Sequence, residues 1–352
     1  MSNRFTKFDV IVPHCKWGRS GITSVVKQLV PKMVELGSTI VTIGPGLPAH
    51  FPRLSWLQLL ALWCPPRGQA VRIWHARRNN EMLLGILFKT VLRMKLKLVF
   101  TSSAQRNHRR FTRWLMSRMD AVIATSDRSG SFLRVPYVVI PHGVELTRFD
   151  TVQGVRDMMV KRCLPGKYVA MNPGRIRYQK GTDLFVRAMI QLLPKFPNWS
   201  AVICGRVTLA NILFANGLIK MVEDAGLTDR IRFLGEIDDM GHWYRIATLC
   251  VAPSRIEGFG LTPIEAMASK TAVVASDAGS YREMIVPDVT GAITPAGNYG
   301  ALCEAIAYYL ADPELARRHG ENGHRHVAAH FSLESEAAAT NVLYQKLLAD
   351  RI

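Results

Sequence analysis

Long apolar runs are missing from this chain of 352 residues. The longest, Leu54 to Cys64 and Met82 to Leu92, are about eleven residues each, interrupted by Gln58 or Lys89, against the ~20 needed to span a bilayer. An integral helical membrane protein is thereby excluded. The opening Met1 to His14 lacks the apolar core of a secretory signal, so the chain is expected to stay in the cytoplasm. Cysteine is sparse: Cys15, Cys64, Cys163, Cys204, Cys250 and Cys303 lie far apart without CxxC or His-paired spacing. Neither a zinc site nor a disulfide framework is indicated, and buried free thiols are expected. Glycine and proline stay near average usage, while 48% hydrophobic and 20% charged residues exclude disordered and collagen-like classes. Acidic residues are scarce in one half only. Residues 1–150 carry 23 Lys+Arg against 7 Asp+Glu, net +16, whereas the remainder has 22 against 20, net +2. Such a field suits a polyanionic partner, which composition leaves open as nucleic acid, an anionic bilayer or an acidic substrate.

The length predicts two domains. Phe8 to Pro13 reads as a strand, and Ile22, Val25, Val26, Leu29, Val30, Met33 and Val34 recur at helical spacing until Gly37; Thr39 to Ile43 is the next strand. Val71 to Trp74, Leu98 to Thr101, Ala121 to Thr125 and Tyr137 to Ile140 continue an open α/β sheet. After Pro141-His142-Gly143 the pattern restarts at Tyr168 to Met171. It runs on through 200–204, 231–234, 249–252, 272–275 and 291–294, and the last stretch is helical with a break at Phe331-Ser332. The domains are set at 1–152 and 153–332, each doubly wound, with ligands expected in a cleft between facing strand C-termini.

Chemistry is concentrated in the turns after strands. Ser254 to Ala268 follows a strand and opens a helix, with Thr262 placed to cap it and Pro263 suited to its first turn. Free amides at such an end suit a phosphate, and Gly258 and Gly260 allow close backbone approach. Glu257 and Glu265, as acceptors, suit the hydroxyls of a sugar or ribose. An earlier post-strand turn reads Gly174-Arg175-Ile176-Arg177-Tyr178-Gln179-Lys180-Gly181, whose basic residues taken singly suit a solvated surface.

With Glu257, Gly258-Phe259-Gly260 and Glu265 at this spacing, the chain resembles the retaining GT-B glycosyltransferases of family 4. The resemblance implies an α/β GT-B fold of two Rossmann-like domains facing a central cleft. The first would bind acceptor and the second nucleotide sugar, with a C-terminal helix, about 333–352, packing back on the first. It implies that Glu257 contacts the transferred sugar, that Glu265 holds the nucleotide ribose, and that the amides of Phe259, Gly260 and Leu261 hold sugar or diphosphate oxygens. Arg175 and Lys180 would stabilise the leaving group, with no metal and no cofactor. Gly21, in a post-strand loop with Gly18, is expected near the diphosphate; Arg206 and Ile237 are expected near phosphate or base. Asp238-Asp239 has the wrong spacing for a metal-binding DxD and is expected to start a helix.

On the acceptor side the family often has a His where this chain has Thr101, and His108 lies seven residues on. His75, Arg77, Arg78 and Arg106 follow strands, and the arginines suit a carboxylate or phosphate. Arg109, Arg110 and Arg113 interleave with apolar residues in a way suited to an anionic membrane. Taken with Trp74 to Asn79 and Met119 to Ser126, the pattern looks like bacterial lipopolysaccharide-core mannosyltransferases. These imply GDP-mannose as donor, an anionic Kdo-lipid A acceptor, and a cytoplasmic enzyme peripherally associated with the inner face of the inner membrane. The alternatives are a UDP-glucose or UDP-galactose enzyme, a sugar-nucleotide epimerase or phosphorylase, and a nucleic-acid-binding protein. The last leaves Glu257 and Glu265 without a role, and no nucleic acid is expected as a partner.

Overall fold

The computed structural model describes residues 7–17, 21–48, 50–66, 68–149 and 164–349. Gly18, Cys163 and the expected boundary between 152 and 153 lie outside them. The chain divides into two compact units: Met1–Gly143 with Leu333–Ile352, and Val144–Ser332.

In the first unit, strands β1 (Val10–Pro13), β2 (Ile40–Ile43), β3 (Arg53–Leu54), β4 (Arg72–Ala76), β5 (Leu96–Ser102), β6 (Ala121–Ala124) and β7 (Val138–Val139) form one sheet. Its order is β3-β2-β1-β4-β5-β6-β7, and every pairing is parallel. The second unit repeats the arrangement with β8 (Tyr168–Pro173), β9 (Trp199–Cys204), β10 (Ile231–Gly235), β11 (Leu249–Ala252), β12 (Ala272–Ser276) and β13 (Gly291–Thr294), ordered β10-β9-β8-β11-β12-β13. Both are α/β, and both reverse direction beside their first strand, between β1 and β4 and between β8 and β11. Ligands of open α/β sheets bind outside the strand C-termini at such a reversal.

The central strands are apolar on both faces because helices cover both sides. In the second unit Ala170, Ala201, Val251 and Val274 pack toward one helical layer, while Met171, Val202, Cys250 and Val273 pack toward the other. In the first unit the helix Leu333–Leu348 completes one layer: Leu333, Ala337, Leu343, Tyr344, Leu347 and Leu348 join Val10, Val12, Val26, Leu29 and Ile73. Its start is tied by Lys32 to Glu334 (3.1 Å), and Ser38 donates to Asn341 (2.6 Å).

The helix Gly21–Glu35 and the break at Phe331-Ser332 lie where the periodicity puts them. Strand β3, the 3-10 helix Leu57–Trp63 and the short helix Leu146–Phe149 are among the exceptions, since a two-residue strand after Pro52 carries no alternation to read and four residues carry too little helical period. Cys204, Cys250 and Cys303 are buried thiols, Cys15 is half-buried, and Cys64 is exposed. Among the described residues no helix is long and apolar enough to cross a membrane.

Candidate functional site

In the second unit the turns after β8 and β11 stand side by side because those strands pair directly. Gly181 closes the first turn in the left-handed region (φ 68°), and a Cβ there would overlap the Pro253 carbonyl of the second turn. Gly205, after β9, is equally constrained, since a Cβ would overlap the Gly174 carbonyl. The turns are also clamped by a side chain. Arg255 makes a two-pronged ion pair with Asp183 (2.7 Å for each bond), donates to the Tyr178 carbonyl (2.8 Å) and lies over the Tyr178 ring (3.8 Å).

Against this frame Lys180 reaches Glu257 Oε2. Gly258 N–H donates to Glu257 Oε1 (3.1 Å), and the buried Tyr281 hydroxyl donates to Oε2 (3.3 Å). Burial alone would push the Glu257 carboxyl up; the Lys180 ammonium, the Gly258 amide and the Tyr281 hydroxyl outweigh it and hold the carboxyl below its ordinary value. Glu265, in the first turn of the helix Thr262–Ala268, accepts from Tyr244 (2.9 Å). Here burial prevails over Tyr244, Arg148 and Lys180, so its carboxyl is raised. Two carboxylates on one segment thus hold protons with different tenacity. Phe259 is buried, and Gly258, Gly260 and Leu261 line the same turn.

Thr262 does not cap this helix. The cap position is Leu261, which offers no side-chain acceptor, so the first amides stay unclaimed by a cap. Arg175 and Arg206 are exposed in the turns after β8 and β9, and Ile237 is half-buried after β10. Asp239 starts the helix Met240–Ile246 by accepting from His242 N–H (3.3 Å). Among the described residues no group of His, Cys, Asp and Glu is arranged to hold a metal. Tyr244, Tyr281, Asp183 and Arg255 escape the sequence reading, because their partners lie across turns and no local spacing marks them.

In the first unit a cavity of about 260 Å³ opens at the C-terminal ends of β4 and β5. Arg77, Thr101, Arg106 and His108 line it, with Ser102 and Ser103. His75 stands behind this wall and not on it: it is buried, with Nε2 bonded to Thr101 Oγ1 (2.6 Å) and Nδ1 to the Tyr344 hydroxyl (2.5 Å). Its reading as a direct acceptor contact is therefore corrected to a support for Thr101. Burial, then the charges of Arg77 and His142, keeps its pKa well below the usual histidine value. Burial and Arg106 lower His108 as well. Arg78 is turned away to Glu81 (2.7 Å), whose other oxygen accepts the Arg77 amide (2.8 Å). Gly21 opens the helix Gly21–Glu35 on the surface, and a Cβ there would meet nothing within 4 Å. No steric demand for glycine exists at that position.

Comparison with known proteins fits this geometry. The family described as Glycosyl transferases group 1 matches residues 160–326. The lipopolysaccharide core biosynthesis mannosyltransferase LpcC of Rhizobium leguminosarum bv. viciae is 56% identical over 342 residues, covering 97% of each chain. The C-terminal domain of a group 1 glycosyl transferase (LpcC) from Francisella tularensis, solved alone, is 35% identical, with TM-score 0.51 over 54% of this chain and 99% of that one. HepE of Anabaena, solved with UDP, is 17% identical yet has TM-score 0.84 over 96% of this chain and 100% of its own, a likeness of GT-B fold.

Proposed function

The chain belongs to the glycosyl transferases group 1 family and is a glycosyltransferase, and from that premise we propose that it is a retaining, metal-independent mannosyltransferase. Its donor is GDP-mannose, and its acceptor is an acidic lipopolysaccharide-core glycolipid of the Kdo-lipid A type at the inner face of the bacterial inner membrane. The identity to a lipopolysaccharide-core mannosyltransferase across nearly the whole chain supports the sugar and the acceptor class. The observation that carries the chemistry is the contact of Lys180 with Glu257, which joins the two post-strand motifs at the sheet's reversal.

On this reading Glu265 accepts the ribose hydroxyls, Glu257 contacts the mannosyl hydroxyls, and the amides of Phe259, Gly260 and Leu261 meet sugar or diphosphate oxygens. The bond between the anomeric carbon and phosphate oxygen breaks as the acceptor oxygen attacks from the same face. The departing phosphate oxygen takes the acceptor proton, and configuration is retained. Negative charge grows on GDP, and Arg175 and Lys180 stabilise it without a metal or organic cofactor. The basic first unit is assigned to the acceptor and to an anionic bilayer and not to nucleic acid. Exposed Phe111 and Trp114 stack at 6.1 Å beside Arg109, Arg110 and Arg113, and Arg118 lies over Trp114 (5.6 Å), joining apolar and cationic groups on one short helix.

Calorimetry with GDP-mannose, GDP, UDP-glucose and UDP-galactose tests the donor. Selective GDP-mannose binding that Glu265→Ala abolishes is the expected result, and transfer activity that persists in EDTA accompanies it. Preference for a UDP-sugar would discard the mannosyl reading.

A further inference from the structure

The cavity of the first unit presents a positive charge that no described residue neutralises. Arg77 is 8% exposed, and its Nε and Nη1 are buried without any hydrogen-bond partner. The nearby acids are committed elsewhere. Glu81 serves the Arg78 guanidinium and the Arg77 main chain, while Glu336 accepts from His142 Nδ1 (2.7 Å) and Gly143 N–H (2.8 Å). Among the described residues no Asp or Glu lines the cavity, whereas Thr101, Ser102, Ser103, Arg106 and His108 bring donors to its wall. A buried cation without a counter-charge is strongly unfavourable, so a fold that keeps one has placed it for a group that arrives from outside. The planar guanidinium fork matches a pair of oxygens held at fixed spacing. At about 260 Å³ the cavity falls below the ~300–1,000 Å³ of sites that enclose whole small-molecule ligands, a size suited to one sugar ring.

We propose that Arg77 anchors an oxyanion site that binds the acid group of the acceptor sugar and thereby restricts the enzyme to acidic acceptors. The inference rests on the acceptor half of the reading above and not on its donor half. The shared chemistry is an oxyanion, supplied by a sugar carboxylate or by a phosphate on the acceptor. Thr101, held by His75, and Ser103 complete the donor set.

The full-length protein is titrated with Kdo methyl glycoside, with the methyl ester of that glycoside, and with inorganic phosphate, as wild type and as Arg77→Met and Arg77→Lys. The wild type is expected to bind the acid about 10- to 100-fold more tightly than the ester. Arg77→Met loses that preference, and Arg77→Lys, which keeps the charge but not the fork, retains part of it. Ligand-free Arg77→Met melts at or above the wild-type temperature, because an unpaired charge has been removed; a merely structural arginine would give the opposite shift. Phosphate bound in preference to the glycoside, again only with Arg77 present, keeps the anchor and identifies a phosphate as the acceptor's acid. Equal wild-type affinity for acid and ester without phosphate binding overturns the proposal, as does an Arg77→Met variant that still discriminates. GDP-mannose binding is measured in the same samples. Its absence from the wild type would sink the mannosyl reading and leave the Arg77 result standing.

Discussion

Glu257 and Glu265 lie on one short segment, and their surroundings drive them in opposite directions. Lys180 keeps Glu257 ionised, while burial raises Glu265 above the ordinary 4.5. The folded protein therefore takes up the Glu265 proton at a higher pH than the unfolded chain does. As pH falls, Glu265 is neutralised first, which relieves a cost to the fold while removing the proposed acceptor for the ribose. Glu257 and its pair with Lys180 persist until the pH drops below the usual carboxylate range. GDP-mannose affinity, followed by calorimetry against pH, is expected to weaken by up to about tenfold per unit below the Glu265 pKa. Glu265→Gln, uncharged throughout, shows weak and flat binding and a raised melting temperature at neutral pH. A steep profile in that variant would assign the proton elsewhere. For Lys180→Ala and Arg175→Ala the loss belongs to the leaving group, so kcat is expected to fall about 10²- to 10³-fold with smaller changes in donor KM. Wild-type turnover in both removes the cations from the mechanism.

At the scale of elements, the frame is legible where a motif is contiguous and follows a strand. Gly174 to Gly181 and Glu257 to Glu265 are contiguous, so their place after strands and their likeness to a family's motifs can be read directly, and alternating strands and helices fix the sheets that carry them. What spacing cannot show is which side chains meet across turns. Tyr244 reaches Glu265 from the helix Met240–Ile246, and Tyr281 reaches Glu257 from beyond β12. Arg255 is marked by no local spacing, yet it is the rivet between two turns. His75 misleads for the converse reason: its place after an aromatic in a strand end says nothing of Tyr344, 269 positions away, which claims its ring. The helix Leu333–Leu348 buries Leu333, Leu343, Leu347 and Leu348 in the first unit. Four leucines at about 1.5–3 kcal/mol each give about 6–12 kcal/mol, comparable to the whole stability of a domain. Deleting 333–352 is expected to unfold the first unit at ambient temperature, read by loss of its share of the calorimetric unfolding heat. A truncated protein with the full heat would contradict this.

For the whole molecule the informative quantity is where charge lies. Of the net +18, residues 1–150 hold +16, and the same stretch exposes Phe111, Trp114, Leu83, Leu87 and Val91. Basic groups near an anionic surface are worth about 1 kcal/mol apiece, and apolar side chains beside them convert attraction into insertion. Charge reversal at Arg109, Arg110 and Arg113 together is expected to lower binding to phosphatidylglycerol vesicles at least tenfold in sedimentation, while transfer to a soluble acceptor analogue continues. Unchanged sedimentation would move the docking face elsewhere.

The first unit is also written in two pieces of chain, with all of the second unit between them. At synthesis rates of about 5–20 residues per second, roughly 10–40 s separate the emergence of Gly143 from that of the closing helix. The second unit, continuous in the chain, can fold on the ribosome meanwhile. The first must wait with one helical layer of its sheet incomplete, His75 without Tyr344 and His142 without Glu336. The segment that follows the second unit is therefore the one that completes the unit begun before it, so a ribosome that stalls ahead of Leu333 leaves a finished second unit tethered to an unfinished first.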